Sequence, residues 1–259
     1  MFSLPRELSS LRTPRGLLMM CIVTSALSII IGSPTAEARG WKRIRSQNGV
    51  KVYQRKELNR ELPSFKGIGL VNADMYMILA VLRDGSRRKE WMSKSGVTRV
   101  LRRMSDFEAI SYQQTLAPWP VSDREVVMHT QVYLRREPLE MIATFDDVKW
   151  SGSIRGVDRD DFVLMPYLRG YWRLTPKGPG RTEVTYMVNT DPGGLLPNFI
   201  IRRVTRDIPY WTLIGLRKQV KRSKSRYGAF LSKYDPERAT SGVLATPPAP
   251  PLSVLARLK

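Results

Sequence analysis

The sequence predicts an α+β fold: a curved antiparallel sheet wrapped around a long C-terminal helix, with a cavity between them. Three observations point to it. Strand-like segments follow one another from residue 97 to 191, separated by turn-forming or polar residues, as sequential antiparallel strands are. Within them apolar and polar residues alternate, so the sheet has a dry face. Beyond Gly193-Gly194 the apolar residues recur at three- and four-residue spacing, the stripe of a helix that needs a partner surface.

In chain order, residues 50–55 and 62–71 read as strands, and a helix follows from Asp74, an N-cap, to about Arg83. Strands are predicted at 97–104, 107–116, 124–134, 139–146, 162–174 and 181–191. In the third of these Val126, Met128, Thr130, Val132 and Leu134 share the inner face, while Glu125, Val127, His129, Gln131 and Tyr133 share the wet one. Leu139, Met141, Ala143 and Phe145 extend the inner set, as do Val184, Tyr186 and Val188. In the last element Pro197 occupies a first helical turn, Ile200, Val204, Ile208 and Trp211 form the buried stripe, and Pro209 kinks or restarts the helix.

Residues 1–38 read as a signal peptide. Arg12 and Arg15 precede an apolar run over residues 17–31, and Ala36-Glu37-Ala38 is a small-x-small cleavage site. A run of 15 residues falls short of the roughly 20 that cross a bilayer core. An exported protein, periplasmic or extracellular, is therefore expected. Residues 39–234 contain no Pro/Gly/Ser-rich linker and no internal repeat, and read as one domain. Residues 235–259, with Thr246-Pro247-Pro248-Ala249-Pro250-Pro251, read as a weakly ordered tail.

The chain carries 43 Lys and Arg against 23 Asp and Glu, with 42% hydrophobic residues, enough for a core and a strong bias toward anionic partners. Basic runs occur at Arg87-Arg88-Lys89, Arg102-Arg103 and Arg202-Arg203, and from Arg217 through Lys218, Lys221, Arg222 and Lys224 to Arg226. Aromatic rows of the kind that stack on single-stranded nucleic acid are not interleaved with them, so an anionic membrane is the expected partner of the last run, and nucleic acid is not. The only cysteine, Cys21, lies in the apolar run, and the only histidine, His129, lies on the wet strand face. Neither a Cys/His pair nor a zinc ligand set is available, and no phosphate-binding glycine motif with its lysine is present. No cofactor, metal or catalytic residue is expected.

Several segments together resemble the START (steroidogenic acute regulatory protein-related lipid transfer) family. They are Arg88-Lys89-Glu90-Trp91-Met92, Pro118-Trp119-Pro120-Val121-Ser122-Asp123-Arg124-Glu125, Gly170-Tyr171-Trp172, and Leu195-Leu196-Pro197 leading to Pro209-Tyr210-Trp211-Thr212-Leu213. The resemblance implies a helix-grip fold enclosing a tunnel for one sterol, phospholipid or other lipid; binding without covalent change, by a monomer, is expected. It also implies, as the alternative from another class, a polyketide cyclase-like enzyme of the same superfamily that shapes a bound chain. The family's sterol carriers place an acid and a base on the strands flanking the Pro-rich turn, where this sequence has Ser111 and Thr130. The candidate ligand contacts are Ser111, Arg124, Met128, Thr130, Met141, Ala143, Tyr186, Ile200, Val204 and Trp211. Arg124 has a structural reading beside this one, fixing the turn by pairing with Asp123, and Trp91 and Trp119 read as packing residues.

Overall fold

A computed structural model describes residues 40–57, 60–194, 198–223, 225–239 and 245–258, without the side chains of 198–200 and 202–204. The signal segment, Leu195 to Pro197, Lys224, and the side chains of Ile200 and Val204 therefore lie outside the described residues. The strands are β1 (Lys42–Gln47), β2 (Val50–Arg55), β3 (Ser64–Val71), β4 (Ser95–Ser105), β5 (Glu108–Thr115), β6 (Arg124–Arg135), β7 (Glu140–Asp147), β8 (Val163–Leu164), β9 (Tyr167–Pro176) and β10 (Thr182–Asp191). The helices are α1 (Met75–Arg83), α2 (Asn198–Arg222), α3 (Gly228–Tyr234) and α4 (Leu252–Arg257), with a 3₁₀ segment at Gly85–Glu90.

The strands form one ten-stranded sheet in the order β1-β2-β3-β10-β9-β7-β6-β5-β4, and β8 adds a short parallel pairing to β6. All other pairings are antiparallel. Together with α2 this is the predicted helix-grip architecture. The sequence reading missed β1, whose KRIRSQ composition offers one apolar residue and no alternation. It also merged β8 and β9, which are separated at Met165-Pro166, where β8 crosses to pair with β6.

Register converts alternation into rows across the inner face. Val132 pairs with Ala143, Ala143 with Trp172, Trp172 with Tyr186, and Tyr186 with Gly67. One step along the strands, Leu134, Met141, Leu174, Val184 and Gly69 form a second row, all buried. Leu139 does not join this set. It precedes β7 in the hairpin turn and is 45% exposed.

The outer face is drier than predicted. Val127 and Tyr112 pack with Ile154 and Trp150 of the segment after β7. Glu125, expected in water, is buried and held by Arg159, whose Nε and Nη2 each lie 2.7 Å from Oε1. Residues 245–258 are likewise not the weakly ordered tail that their composition predicts. Val254 and Leu258 pack on Tyr133, Ile142, Tyr171 and Met187, the Leu134 N–H donates to the Pro248 carbonyl at 2.9 Å, and Arg257 Nη1 donates to both Asp146 oxygens at 3.0 and 2.7 Å. An apolar strip on the outer strands supplies the burial that the proline-rich segment lacks on its own.

Two glycine contacts place α2. Helix α1 begins as predicted, with Asp74 Oδ1 accepting from the Met77 N–H at 2.7 Å. Helix α2 runs unbroken through Pro209, and that ring rests on Gly67, where a Cβ would lie 2.9 Å from Pro209 Cβ. On its other flank a Cβ at Gly215 would collide with the Trp91 carbonyl. The buried positions of α2 include Thr205, Thr212, Leu216, Gln219 and Val220, so the inward stripe passes through 212 and 216 rather than 211. Trp211 is 52% exposed and meets Tyr210 edge-on at 4.9 Å.

Gly215→Ala tests this contact. Helix propensity favours alanine by about 1 kcal/mol, but overpacking against a backbone carbonyl costs about 1–3 kcal/mol or more. A net loss of about 2 kcal/mol, read as a melting temperature lower by about 4–8 °C, is the expected result. Gly228→Ala in α3, where a Cβ meets nothing within 4 Å, should not lower the melting temperature and should raise it slightly through helix propensity.

Candidate functional site

Between the inner sheet face, α1, the 3₁₀ segment and α2 lies a cavity. Its volume is about 160 Å³. One water needs roughly 10–15 Å³ of such space, so this is a chamber rather than a packing defect. One wall is aromatic. The rings of Trp172 and Tyr186 stack at 4.2 Å, Trp91 meets Trp172 edge-on at 6.1 Å, and Phe145 lies 6.2 Å from Tyr186. Gly170 makes room for this wall, since a Cβ there would overlap the Phe145 ring.

Opposite chemistry comes from Arg88 in the 3₁₀ segment. Its Nη1 donates to Gln113 Oε1 at 2.9 Å and its Nη2 to the Leu82 carbonyl at 3.0 Å. Among the described residues no carboxylate stands within ion-pair distance of it. Burial lowers its pKa, opposed by Tyr186 and by Asp84, yet a guanidinium remains charged at any ordinary pH. Burial in turn pushes the Tyr186 hydroxyl above its usual range, with Arg88 pulling the other way, so Tyr186 remains a neutral donor. Arg83 also borders the cavity, beside the rings of Phe107, Phe230 and Tyr234 at 6.0, 5.0 and 5.6 Å.

Of the residues nominated from sequence, Ser111, Met128, Thr130, Ala143 and Tyr186 line the cavity. Met141 does not. It lies fully buried in the row of Leu134 and Leu174, one step along the sheet, where the core is solid. Trp211 points away for the reason of helical phase given above, and Thr205 and Ile208 line the cavity from α2 instead. Arg124 is buried outside the cavity, bonded to the carbonyls of Ser122, Pro192 and Gly193. Its role in the turn is structural, but not through Asp123, whose Oδ1 accepts from the Ala117 N–H at 2.8 Å. Trp91, read as packing, lines the cavity, and so do Arg88, Gln113 and Trp172, which sequence reasoning did not nominate. Arg88, Trp91 and Trp172 sit inside the segments that carried the family resemblance, and that was the available signal.

Nothing in this geometry assembles a metal centre: among the described residues no group of three or more His, Cys, Asp or Glu side chains converges. His129 Nε2 lies 2.7 Å from Glu108 Oε1 and is spent on that pair. No helix of the described residues is long and apolar enough to cross a membrane.

A curved sheet gripping a helix around an aromatic chamber defines a cavity protein of the helix-grip class. The START domain profile matches residues 24–143. An uncharacterized protein of Pseudomonas aeruginosa is 30% identical over 208 residues, covering 80% of this chain and 99% of that protein. START domain-containing protein 10 of mouse is 25% identical over 167 residues, which is 63% of this chain but 55% of that relative, so the chain spans about half of it. The crystal structure of a STAR-related lipid transfer protein from Xanthomonas axonopodis superposes with a TM-score of 0.62 at 27% identity, covering 70% of this chain and 99% of that one. Human StAR-related lipid transfer protein 5 shares the fold, with a TM-score of 0.64 at 20% identity over 73% of this chain and 89% of that one. The chain belongs to the START domain family.

Ala143 probes the chamber directly, because it is the small residue between Val132 and Trp172 on the cavity wall. In a filled core Ala143→Trp would cost about 1–3 kcal/mol or more. Here the indole enters empty space, so the melting temperature of ligand-free protein should hold while uptake of a fluorescent fatty acid falls sharply. Unfolding, or undiminished uptake, would place the binding space elsewhere.

Proposed function

We propose that the protein binds one lipid in this cavity and carries it without covalent change, with the apolar part against the aromatic wall and an oxyanion of the head, phosphate or carboxylate, on Arg88. The observation that supports this is a charged side chain bordering an apolar chamber without a carboxylate partner. Burying such a charge is costly, and an anionic ligand offsets the cost. Each methylene moved from water into the chamber contributes about 0.8 kcal/mol, so ten of them contribute about 8 kcal/mol, which explains retention without a bond. Ser111, Gln113 and Thr130 supply neutral polar contacts for ester or hydroxyl oxygens. Movement of α2 or of an adjacent loop lets the lipid pass, with Gly193 and Gly194, at φ 65° and 75°, as the hinge of the loop they occupy. Arg124 holds that hinge through the Gly193 carbonyl.

Mass spectrometry of organic extracts from the purified protein should find a lipid bearing a phosphate or carboxylate. A charge-assisted hydrogen bond contributes about 1.5–3 kcal/mol, so Arg88→Met should weaken retention roughly 10- to 150-fold. Extracts holding only a neutral hydrocarbon or a sterol, with retention indifferent to Arg88, would sink the proposal.

We also place this activity outside the cytoplasm, on the strength of the charged start, apolar run and Ala36-Glu37-Ala38 in the sequence. N-terminal sequencing of protein from its native host should begin near Arg39. A full-length cytoplasmic product would refute export.

A further inference from the structure

We propose that the free edge of the sheet, strand β4, is the surface on which the protein docks to an anionic phospholipid membrane. Strand β4 ends the sheet order. It exposes Arg99, Arg102 and Arg103, together with Val100 at 47% and Met104 at 42%. At its other end Leu116, 42% exposed, donates its N–H to the Lys94 carbonyl at 2.7 Å and leans over Gly96. Basic and apolar side chains are thus interspersed along one rim.

Charge decides what this rim faces. Several other arginines of this chain are paired, as Arg45 is with Asp207, Arg87 with Glu90, Arg169 with Asp146 and Arg238 with Asp74. Among the described residues none of Arg99, Arg102 and Arg103 has a carboxylate at ion-pair distance. Charges alone guard an edge strand against pairing with another chain, and the register breaks between Val100 and Arg102 and between Arg103 and Ser105 add to that protection. Such a guard does not need Val100, Met104 and Leu116 in water. A bilayer interface accommodates both kinds of residue, attracting basic groups and burying apolar ones.

Position supplies the second argument. Val100 and Arg103 also line the cavity, so the rim is continuous with its mouth. A lipid leaving the chamber there enters the membrane without crossing water. The run from Arg217 to Arg226 is a poorer docking face, because the Arg217 guanidinium is committed to the carbonyls of Leu70, Asn48 and Gly49 at 2.8, 2.6 and 2.9 Å. This inference rests on the carrier reading for its purpose, but docking is measurable without it.

The test is co-sedimentation of the full chain with phosphatidylcholine vesicles, with and without phosphatidylglycerol. Arg99→Gln with Arg102→Gln should weaken binding to the anionic vesicles roughly 10- to 30-fold, from the attraction expected of two basic residues near a charged surface. Arg99→Lys with Arg102→Lys should restore it, and Met104→Ser should weaken it further. Lys218→Gln with Lys221→Gln removes the same charge from α2 and should change binding little. Equal losses in the two glutamine pairs would mean that net charge alone matters, and no loss in the β4 pair would mean that the edge is only guarded; either overturns the proposal. None of these residues lines the cavity, so the lipid extracted from the β4 variants should match wild type. If no sample yields lipid while docking falls as stated, the carrier reading fails and the docking surface stands.

Discussion

The contact that governs this structure is the close approach of α2 to its neighbours on glycine. Gly67 lets Pro209 and Leu213 settle on β3, and Gly215 lets the helix lie on the Trp91 backbone. Arginines secure the same region from outside. Arg217 ties the helix to the β1–β2 turn and the end of β3, and Arg45 lies 3.5 Å above the Tyr210 ring while reaching Asp207 at 3.3 Å. A helix fixed that tightly over β2 and β3 cannot also settle on β6 and β7. The space above Ala143 and Trp172 therefore stays open, and the chamber follows from how well the opposite end is packed.

Inside that chamber the polar groups divide by strength. Ser111, Gln113 and Thr130 are neutral and replaceable by water, whereas Arg88 is charged wherever it stands. Gln113 and a backbone carbonyl satisfy two of its donors without neutralising it. A lysine would relieve the strain of burial by losing its proton, and an arginine does not. The choice of arginine keeps a fixed positive potential in an apolar site, where an opposite charge interacts far more strongly than in water.

Alternation along β6, β7 and β10 made the inner face legible in the sequence, and with it four of the nominated cavity residues, Met128, Thr130, Ala143 and Tyr186, because period two leaves no freedom about which side a residue faces; Ser111 on β5 came from the family resemblance instead. Helical phase was less legible. Ile208 and Trp211 fit one stripe on spacing alone, and only the glycine contacts show that the helix turns position 212 inward and 211 outward. Arg88 was hidden for another reason: in sequence it is the middle of a basic run with Arg87 and Lys89, and only the 3₁₀ turn separates them. That turn sends Arg87 to Glu90 at the surface and Arg88 to the cavity. Met141 and Leu139 show the remaining limit, since facing inward does not say how far along the strand the solid core ends.

Both sides of the sheet bear apolar residues, and the chain deals with them selectively. Its outer strip of Tyr133, Ile142, Tyr171 and Met187 is covered by α4, and Tyr112 with Val127 is covered by the segment carrying Trp150 and Ile154. Each covering segment is short and weakly structured alone, so its order derives from the apolar surface beneath it. The rim of β4 has no comparable cover among the described residues, although Val100 and Met104 are as apolar as what is covered elsewhere. Burial on the outer strands and exposure on the rim therefore reflect different demands. The first stabilises the fold, and the second leaves the entrance of the chamber apolar and positively charged, the combination that the proposed acidic-headed ligand and the proposed membrane surface both require.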